Sequence, residues 1–240
     1  MRYMDYELDE RLRQKELYAQ AAFPSLMRKV YLWMTLALAI TGITAFGVAT
    51  SPGIMMTLYS NSVLLWGLII AELVIVVAIS AAINKLSLTA ATLLFVLYSV
   101  INGATLSSIF LLYTMTSITN VFFITAGTFA VMAFIGYSTK TDLTSMGKIL
   151  LMALIGIIIA TVVNMFVGST MLQTIVSYVG VLVFVGLTAY DSQKIKQMLM
   201  QAPDGGETAQ KLALLGALSL YLDFINLFLY LLRIFGSRRD

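Results

Sequence analysis

Three acidic side chains stand in stretches that otherwise carry almost no charge, and their chemistry is the most informative feature of the sequence. Glu72 and Asp223 lie near the middle of two apolar segments, and Asp191 lies near the end of a third. A carboxylate at the bilayer centre costs about 2.5–3.5 kcal/mol, so such acids face the inside of a helix bundle and often mark an ion or proton path. The simpler alternative is that they only form hydrogen bonds between helices.

The chain of 240 residues contains no histidine and no cysteine. This excludes a Ser-His-Asp triad, a thiol nucleophile, and zinc or haem bound through either residue. Any proton-dependent step near neutral pH must use carboxylates, because imidazole is absent. We expect a protein that is not an enzyme and that holds no cofactor.

The composition indicates a membrane protein. Hydrophobic residues make up 60% of the chain and charged residues 11%, whereas soluble domains average about 25% charged residues. About 20 apolar residues span the hydrocarbon core as a helix. On that basis the sequence predicts an all-α fold of seven transmembrane helices, at 30–50, 62–83, 88–112, 118–136, 148–168, 173–190 and 212–235.

Turn-forming residues separate these segments. They are Ser51-Pro52-Gly53, Asn84-Lys85, Asn120, Gly168-Ser169, and Pro203-Asp204-Gly205-Gly206. The uncharged stretch from Leu86 to Thr139 is too long for one span, so we divide it near Thr114–Thr119. Helix six can continue to about Met200, and helix seven can begin near Glu207.

Lysine and arginine predict the orientation. The first 29 residues carry six of them, and the even-numbered loops carry the remainder that lie between helices. The positive-inside rule therefore places the N-terminus in the cytoplasm. The C-terminus then lies outside despite Arg238 and Arg239, unless the last segment is re-entrant; we favour a spanning segment. The expected organisation is a charged cytoplasmic arm (1–29), a transmembrane domain (30–236) and a short basic tail (237–240).

Helix seven carries its polar residues on one stripe. Their spacing of four, three, four and three residues places them on one helical face, and only Tyr221 departs from it. A helix that lines a polar path needs such a stripe, whereas a lipid-facing helix does not. The stripe consists of Ser219, Asp223, Asn226, Tyr230 and Arg233.

Helices six and seven form a hairpin, so Asp191 and Asp223 can meet. Two carboxylates in a low dielectric cannot both ionise cheaply and therefore share a proton. A divalent cation could replace that proton, although calcium prefers six to eight oxygen ligands. Asp191, Asp223 and Glu72 would then form a weak transit site for calcium rather than a storage site.

Five stretches carry a resemblance to a known family and cover most of the chain after the first helix. They are IAELVIVVAIS around Glu72, LYSVINGATLSSIF (97–110), GYSTKTDL (136–143), GLTAYDSQKIK (186–196) and LYLDFINLFLYLLRIFG (220–236). The chain resembles the Bax inhibitor-one family of transmembrane proteins, and its bacterial members in particular. The resemblance implies a location in the inner membrane of a bacterium.

The resemblance implies six helices wrapped around a central C-terminal helix. It also implies a pH-sensitive leak of cations, chiefly calcium, with a paired-aspartate sensor that falls on Asp191 and Asp223. Glu72 matches an acid of the family's pore, and we add Ser219, Asn226 and Tyr230 to the predicted ion path. Some relatives close the pore with a basic latch, for which this sequence offers only Lys85.

Two other functions are consistent with some of these sequence features. A two-aspartate intramembrane protease is disfavoured because Asp223 stands in LYLDF and not in GxGD. A non-conducting regulator would bind a membrane protease or another membrane protein through the charged arm. For the cation leak we expect the lipid bilayer, calcium ions and protons as partners. The regulator hypothesis adds a membrane protease or another membrane protein, and no nucleic acid is expected in any of these cases.

Overall fold

A computed structural model describes residues 2–202 and 205–239, with side chains from Ala21 onward. The predicted contact surface in the first 20 residues and the Pro203-Asp204 part of the last turn therefore lie outside the described side chains. The helices are α1 (Arg2–Ala49), α2 (Pro52–Ser60), α3 (Ser62–Ala82), α4 (Leu88–Leu106), α5 (Ile109–Leu112), α6 (Met115–Ser138), α7 (Thr144–Val167), α8 (Thr170–Met200) and α9 (Glu207–Phe235).

Seven of the described segments are long and apolar enough to cross a membrane, which confirms the predicted fold class. They are Ala21–Ala49, Ser62–Ala82, Leu88–Leu112, Met115–Ser138, Thr144–Val167, Thr170–Met200 and Glu207–Phe235. Most begin or end a few residues beyond the predicted limits, since a helix continues past the hydrocarbon core into the interface. The boundary predicted at residue 30 lies inside α1, which is one continuous helix.

The connecting segments differ from the prediction in two places. Ser51-Pro52-Gly53 does not form an isolated turn, because Pro52 starts α2, where its missing N–H costs nothing. The turn predicted at Asn120 is wrong: the break falls at Tyr113–Thr114, and Asn120 is an exposed residue in the second turn of α6. Gly168 ends α7 as predicted, with a left-handed φ of 66° that favours glycine.

Contacts between the loops define two ends of the bundle. After α9 the chain pairs with the connection between α5 and α6: Thr114 N donates to Ser237 O at 3.2 Å, and Arg239 N donates to Leu112 O at 3.0 Å. The last segment therefore crosses the bundle and is not re-entrant. We refer to the two ends as the N-terminal side and the C-terminal side. The guanidinium of Arg239 also donates to Phe110 O, so this base completes a helix end on the C-terminal side.

Helix α9 is the most buried of the seven spans. In the most apolar 18-residue stretch of α9, 67% of the residues are buried inside the protein. The same fraction is 6–33% in the other six spans. It packs against α1, α4, α6 and α8, whereas α3 packs against α2 and α4, and α7 packs against α8. The arrangement of all six helices around α9 stays a prediction of the resemblance.

Two glycines let α8 approach its neighbours closely. A Cβ at Gly136 of α6 would collide with the backbone of Ala189, and a Cβ at Gly147 of α7 would collide with the ring of Tyr190. Both contacts lie directly before Asp191 on α8. Packing on two sides therefore fixes the position of that aspartate.

Candidate functional site

Asp223 lies in the middle of α9 and is only 5% exposed. Its Oδ2 has no hydrogen-bond partner, and it is the one buried side-chain polar atom without a partner among the described residues. A buried polar atom without a partner costs about 1–3 kcal/mol, and more when it is charged. The protein therefore keeps an energetically costly group at the centre of its most buried span.

The structure brings Asp191 and Asp223 into one region between α8 and α9, which pack directly against each other. The two carboxyl groups are close enough to interact electrostatically, and Lys194 of α8 interacts with Asp191 in turn. Asp191 itself is half-buried. We call these two aspartates and their surroundings the aspartate region.

The residues that follow Asp191 attach α8 to the end of α6 and to the loop behind it. Ser192 Oγ donates to Ala133 O at 2.8 Å. The amide of buried Gln193 donates to Thr141 O and accepts from Leu143 N, both at 2.8 Å. Sequence reasoning missed Gln193, although an amide two residues after an intramembrane acid was the available signal.

The rest of the predicted polar stripe has a different environment. Asn226 Nδ2 donates to Leu222 O of its own helix at 2.8 Å. The Tyr230 ring stacks on Phe184 of α8, with centroids 5.8 Å apart. Ser219 is half-buried. These residues share the side of α9 that carries Asp223, but most of this stripe is used for packing and intrahelical bonding.

Arg233 ends the stripe on the C-terminal side. Its guanidinium lies 5.4 Å from the centroid of the Tyr230 ring. It lines two cavities of about 300 and 320 Å³, which also share Gln173; the smaller one is mostly polar and the larger one mostly apolar. The stripe therefore leads to a polar opening that carries positive charge.

Glu72 belongs to a separate hydrogen-bond network. Its Oε1 accepts from Thr105 Oγ1 at 2.7 Å, and its Oε2 accepts from Asn102 Nδ2 at 3.3 Å. Tyr221 OH donates to Asn102 Oδ1 at 2.9 Å and lies 2.7 Å from Thr41 Oγ1. This chain joins α1, α3, α4 and α9. We call these five residues the Glu72 network.

The Glu72 network and the aspartate region lie on opposite faces of α9. Tyr221 and Asp223 are two residues apart, which is about 200° around a helix. The predicted path from Glu72 through Ser219, Asn226 and Tyr230 is therefore not continuous in this structure. Sequence reasoning set Tyr221 aside as the exception to the stripe, yet this residue is fully buried and links α9 to Asn102.

The predicted calcium site of Asp191, Asp223 and Glu72 is wrong for this structure. Within the described residues, no group of three or more acidic side chains is placed to hold a metal ion. The physical reason is the same geometry: Glu72 is bonded on one face of α9, and the two aspartates lie at the other.

Lys85 does not form the predicted latch. It is exposed in the turn after α3, and no hydrogen bond or ion pair of its side chain occurs within the described residues. The neighbouring turn is instead held by the first turn of α9: Lys211 Nζ donates to Leu86 O at 3.1 Å, and Glu207 Oε1 accepts from Leu88 N at 3.1 Å. Glu207 and Lys211 also pair with each other at 3.7 Å.

The fold and the buried acids define a helical membrane protein with seven membrane-crossing segments and two intramembrane polar regions. A family model described as "Inhibitor of apoptosis-promoting Bax1" matches residues 24–240. The chain therefore belongs to the Bax inhibitor-one family, as the resemblance of its motifs indicated.

Several curated proteins are similar over most of their length. The inner membrane protein YbhL of Escherichia coli K12 is 52% identical over 222 residues, which covers 92% of this chain and 94% of the relative. An uncharacterized protein of Borreliella burgdorferi is 48% identical and covers 89% and 92% of the two chains. An uncharacterized protein of Rickettsia prowazekii is 44% identical, over 89% and 90%.

Proposed function

We propose that this protein is a pH-sensitive leak for cations, chiefly calcium, and that proton sharing between Asp191 and Asp223 controls it. The observation that carries the proposal is the buried Asp223 carboxyl with its unpaired Oδ2. The family resemblance supports the same activity. In this proposal calcium is the transported ion and not a resident cofactor.

The physical basis is the cost of charge in a low dielectric. When the two aspartates share one proton, a hydrogen bond can satisfy the buried oxygen and hold α8 to α9. When both ionise, they repel each other, and the α8–α9 contact is weakened. The protonation state therefore selects between two packings of these helices, which is what a gate requires.

The surroundings of the pair support the assignment of the pH response to the Asp191 and Asp223 carboxyl groups. Lys194 is the base that interacts with Asp191, and Asp191 is the charged group that interacts with Asp223. The side chains on either side of Asp223 along α9, Leu222 and Phe224, are apolar and at least partly buried. Phe129 and Phe224, for example, form an edge contact with centroids 5.5 Å apart beside this aspartate.

We propose a different role for Glu72, as an acid of the ion path that the gate opens. Its carboxyl is half-buried and fixed by Thr105 and Asn102. A carboxylate held in one position is suited to attract a passing cation. In this proposal the gate and the cation-attracting group lie on opposite faces of α9.

Calcium flux into liposomes tests the gate. The purified protein is reconstituted with a calcium-sensitive dye inside, and the rate of calcium entry is measured over a range of pH. The wild type should show a rate that changes with pH. Asp191→Asn and Asp223→Asn should each abolish this change, because neither variant can share a proton between two carboxyls.

Asp142→Asn is the matched control. Thr144 donates to Asp142 Oδ1 from its hydroxyl at 2.6 Å and from its backbone N–H at 2.9 Å, and these bonds hold the pKa of that carboxyl below its usual value. Asp142 thus stays ionised through the neutral range, and its variant should keep the wild-type pH profile. A profile unchanged in both aspartate variants contradicts the sensor. Folded protein that passes no calcium at any pH contradicts the leak and favours the non-conducting regulator.

We also propose that the protein lies in the cytoplasmic membrane of a bacterium with its N-terminal side in the cytoplasm. Lysine and arginine favour this orientation, and one relative is named an inner membrane protein. The chain has no cysteine, so single cysteines can be introduced without other changes. In intact cells a membrane-impermeant maleimide should label Thr57→Cys and not Thr141→Cys; the reverse pattern contradicts the orientation.

A further inference from the structure

We propose that the groove between α1 and α6 binds an anionic phospholipid, with an acyl chain along the groove and the headgroup at Arg28. This site is separate from the proposed gate and does not depend on calcium transport. The argument rests on the shape, the depth and the charge of the groove.

The groove has a volume of about 710 Å³ and is almost entirely apolar. Phe224 of α9 lies at its floor, and Phe122, Ala130 and Phe134 form an exposed wall on α6. Because both walls belong to membrane-crossing segments, the groove opens toward lipid. It is a surface groove of the kind that an acyl chain can enter from the side.

The length of the groove fits a lipid chain. Its lining runs from Pro24 to Leu38 along α1, which is about 21 Å at the rise of an α-helix. One leaflet of hydrocarbon is about 15 Å thick, half of a bilayer core. The groove therefore extends from the headgroup level on the N-terminal side to beyond the middle of the membrane.

Charge is confined to one end of the groove. Arg28 lines it there, and within the described residues its side chain makes no hydrogen bond or ion pair. Tyr137 lies at the same end, where Lys196 Nζ donates to its carbonyl at 2.8 Å and lies 4.9 Å from its ring centroid. Basic groups between helices at headgroup level favour anionic lipids, and a guanidinium can bind a phosphate with two hydrogen bonds.

A lipid fits this groove better than a peptide does. An extended peptide at this depth would leave backbone N–H and C=O groups unpaired against an apolar wall, which is costly in hydrocarbon. An acyl chain has no such groups. A second copy of this chain would cover the same wall, and the experiment below distinguishes that case.

Quenching by brominated lipids tests the site. The two native tryptophans, Trp33 and Trp66, are replaced by phenylalanine, and one new tryptophan is placed in the groove as Phe134→Trp. The control is Ile149→Trp on α7. The two positions are similarly exposed, 69% and 62%, and lie four and five residues from the ends of their helices on the same side. Lys148 stands beside the control, so basic charge at headgroup level is present in both.

Brominated phosphatidylglycerol should quench the groove tryptophan with about threefold preference over brominated phosphatidylcholine, the size expected from one exposed ion pair. Arg28→Gln should remove that preference, and Lys148→Gln should not. The proposal is overturned if Ile149→Trp shows the same preference for phosphatidylglycerol as Phe134→Trp, or if Phe134→Trp shows no preference between the two lipids. Failure of both lipids to quench Phe134→Trp would show that protein covers the groove, and would overturn it as well.

A second measurement uses the chain with its native tryptophans. Native mass spectrometry should show phosphatidylglycerol retained by the wild type and by Val131→Phe, a residue that is exposed and does not line the groove. Ala130→Phe, which fills the groove, should lose it. Equal retention by both phenylalanine variants contradicts the proposal.

Discussion

The two polar regions of this membrane domain differ in how they compensate the cost of burying a carboxyl group. In the Glu72 network both carboxyl oxygens accept hydrogen bonds, and four neighbouring side chains from three other helices complete the chain. In the aspartate region a carboxyl oxygen is buried with no partner among the described residues. Both regions contact α9, on faces about 200° apart.

The difference indicates which region can switch. A fully bonded network has one low-energy arrangement, so it fixes α1, α3 and α4 against α9 and gains nothing from a change in protonation. An unpaired carboxyl has a large energy to gain from a proton, a cation or a partner. We therefore expect the Glu72 network to keep one arrangement at all pH values, as a fixed part of the proposed ion path, and the aspartate region to respond to pH.

The largest expected effect concerns the packing around the aspartate region. Gly136→Ala should destabilise the protein by about 3 kcal/mol, because its Cβ would collide with the backbone of Ala189 and the helices cannot move apart cheaply. Gly127→Ala on the same helix meets no atom within 4 Å. The melting temperature of Gly127→Ala in detergent should equal or slightly exceed that of the wild type. Equal melting of the two variants would show that the aspartate region is not held by this close approach.

The next effect compares one substitution in each region. Tyr221→Phe should cost about 2 kcal/mol, since it removes the donor to buried Asn102 Oδ1. Asp223→Asn should change stability by less than about 1 kcal/mol, because it removes a charge and breaks no hydrogen bond of Oδ2. Thermal unfolding of the two purified variants measures the difference. A larger loss in Asp223→Asn than in Tyr221→Phe would reverse the comparison.

A smaller effect tests the bond to Glu72 itself. Thr105→Val should cost about 1 kcal/mol, because Glu72 Oε1 loses the donor at 2.7 Å. Thr125→Val is the control: its buried hydroxyl donates only to Val121 O, one turn earlier in its own helix, and it should melt close to the wild type. If both valine variants melt alike, the hydroxyl of Thr105 contributes nothing specific to the network.

The number of spans and their approximate limits were predictable from hydropathy and turn residues alone. Stretches of about 20 apolar residues have few alternatives in a membrane. The break near residue 114 and the extension of α8 to Met200 were also predictable. The turn expected at Asn120 was not formed, because a polar residue near a helix end can stay helical and still reach the interface.

The candidate site was predictable only in part. Helical spacing placed Asp223 and Tyr230 on one face of α9 and Tyr221 on another, but it could not show what packs against either face. The link from Tyr221 to Asn102 and Glu72 joins residues 119 and 30 positions apart. Such contacts depend on the packing of whole helices, for which the local pattern carries no signal. The same holds for the groove at Arg28.

The most direct test of the account is the separation of the Asp191 and Asp223 carboxyl groups in structures determined at an acidic and an alkaline pH. We predict that this separation changes between the two structures, while the bond between Thr105 Oγ1 and Glu72 Oε1 stays near 2.7 Å. An unchanged aspartate separation, or an equal rearrangement at Glu72, would contradict the assignment of the pH response to the aspartate region.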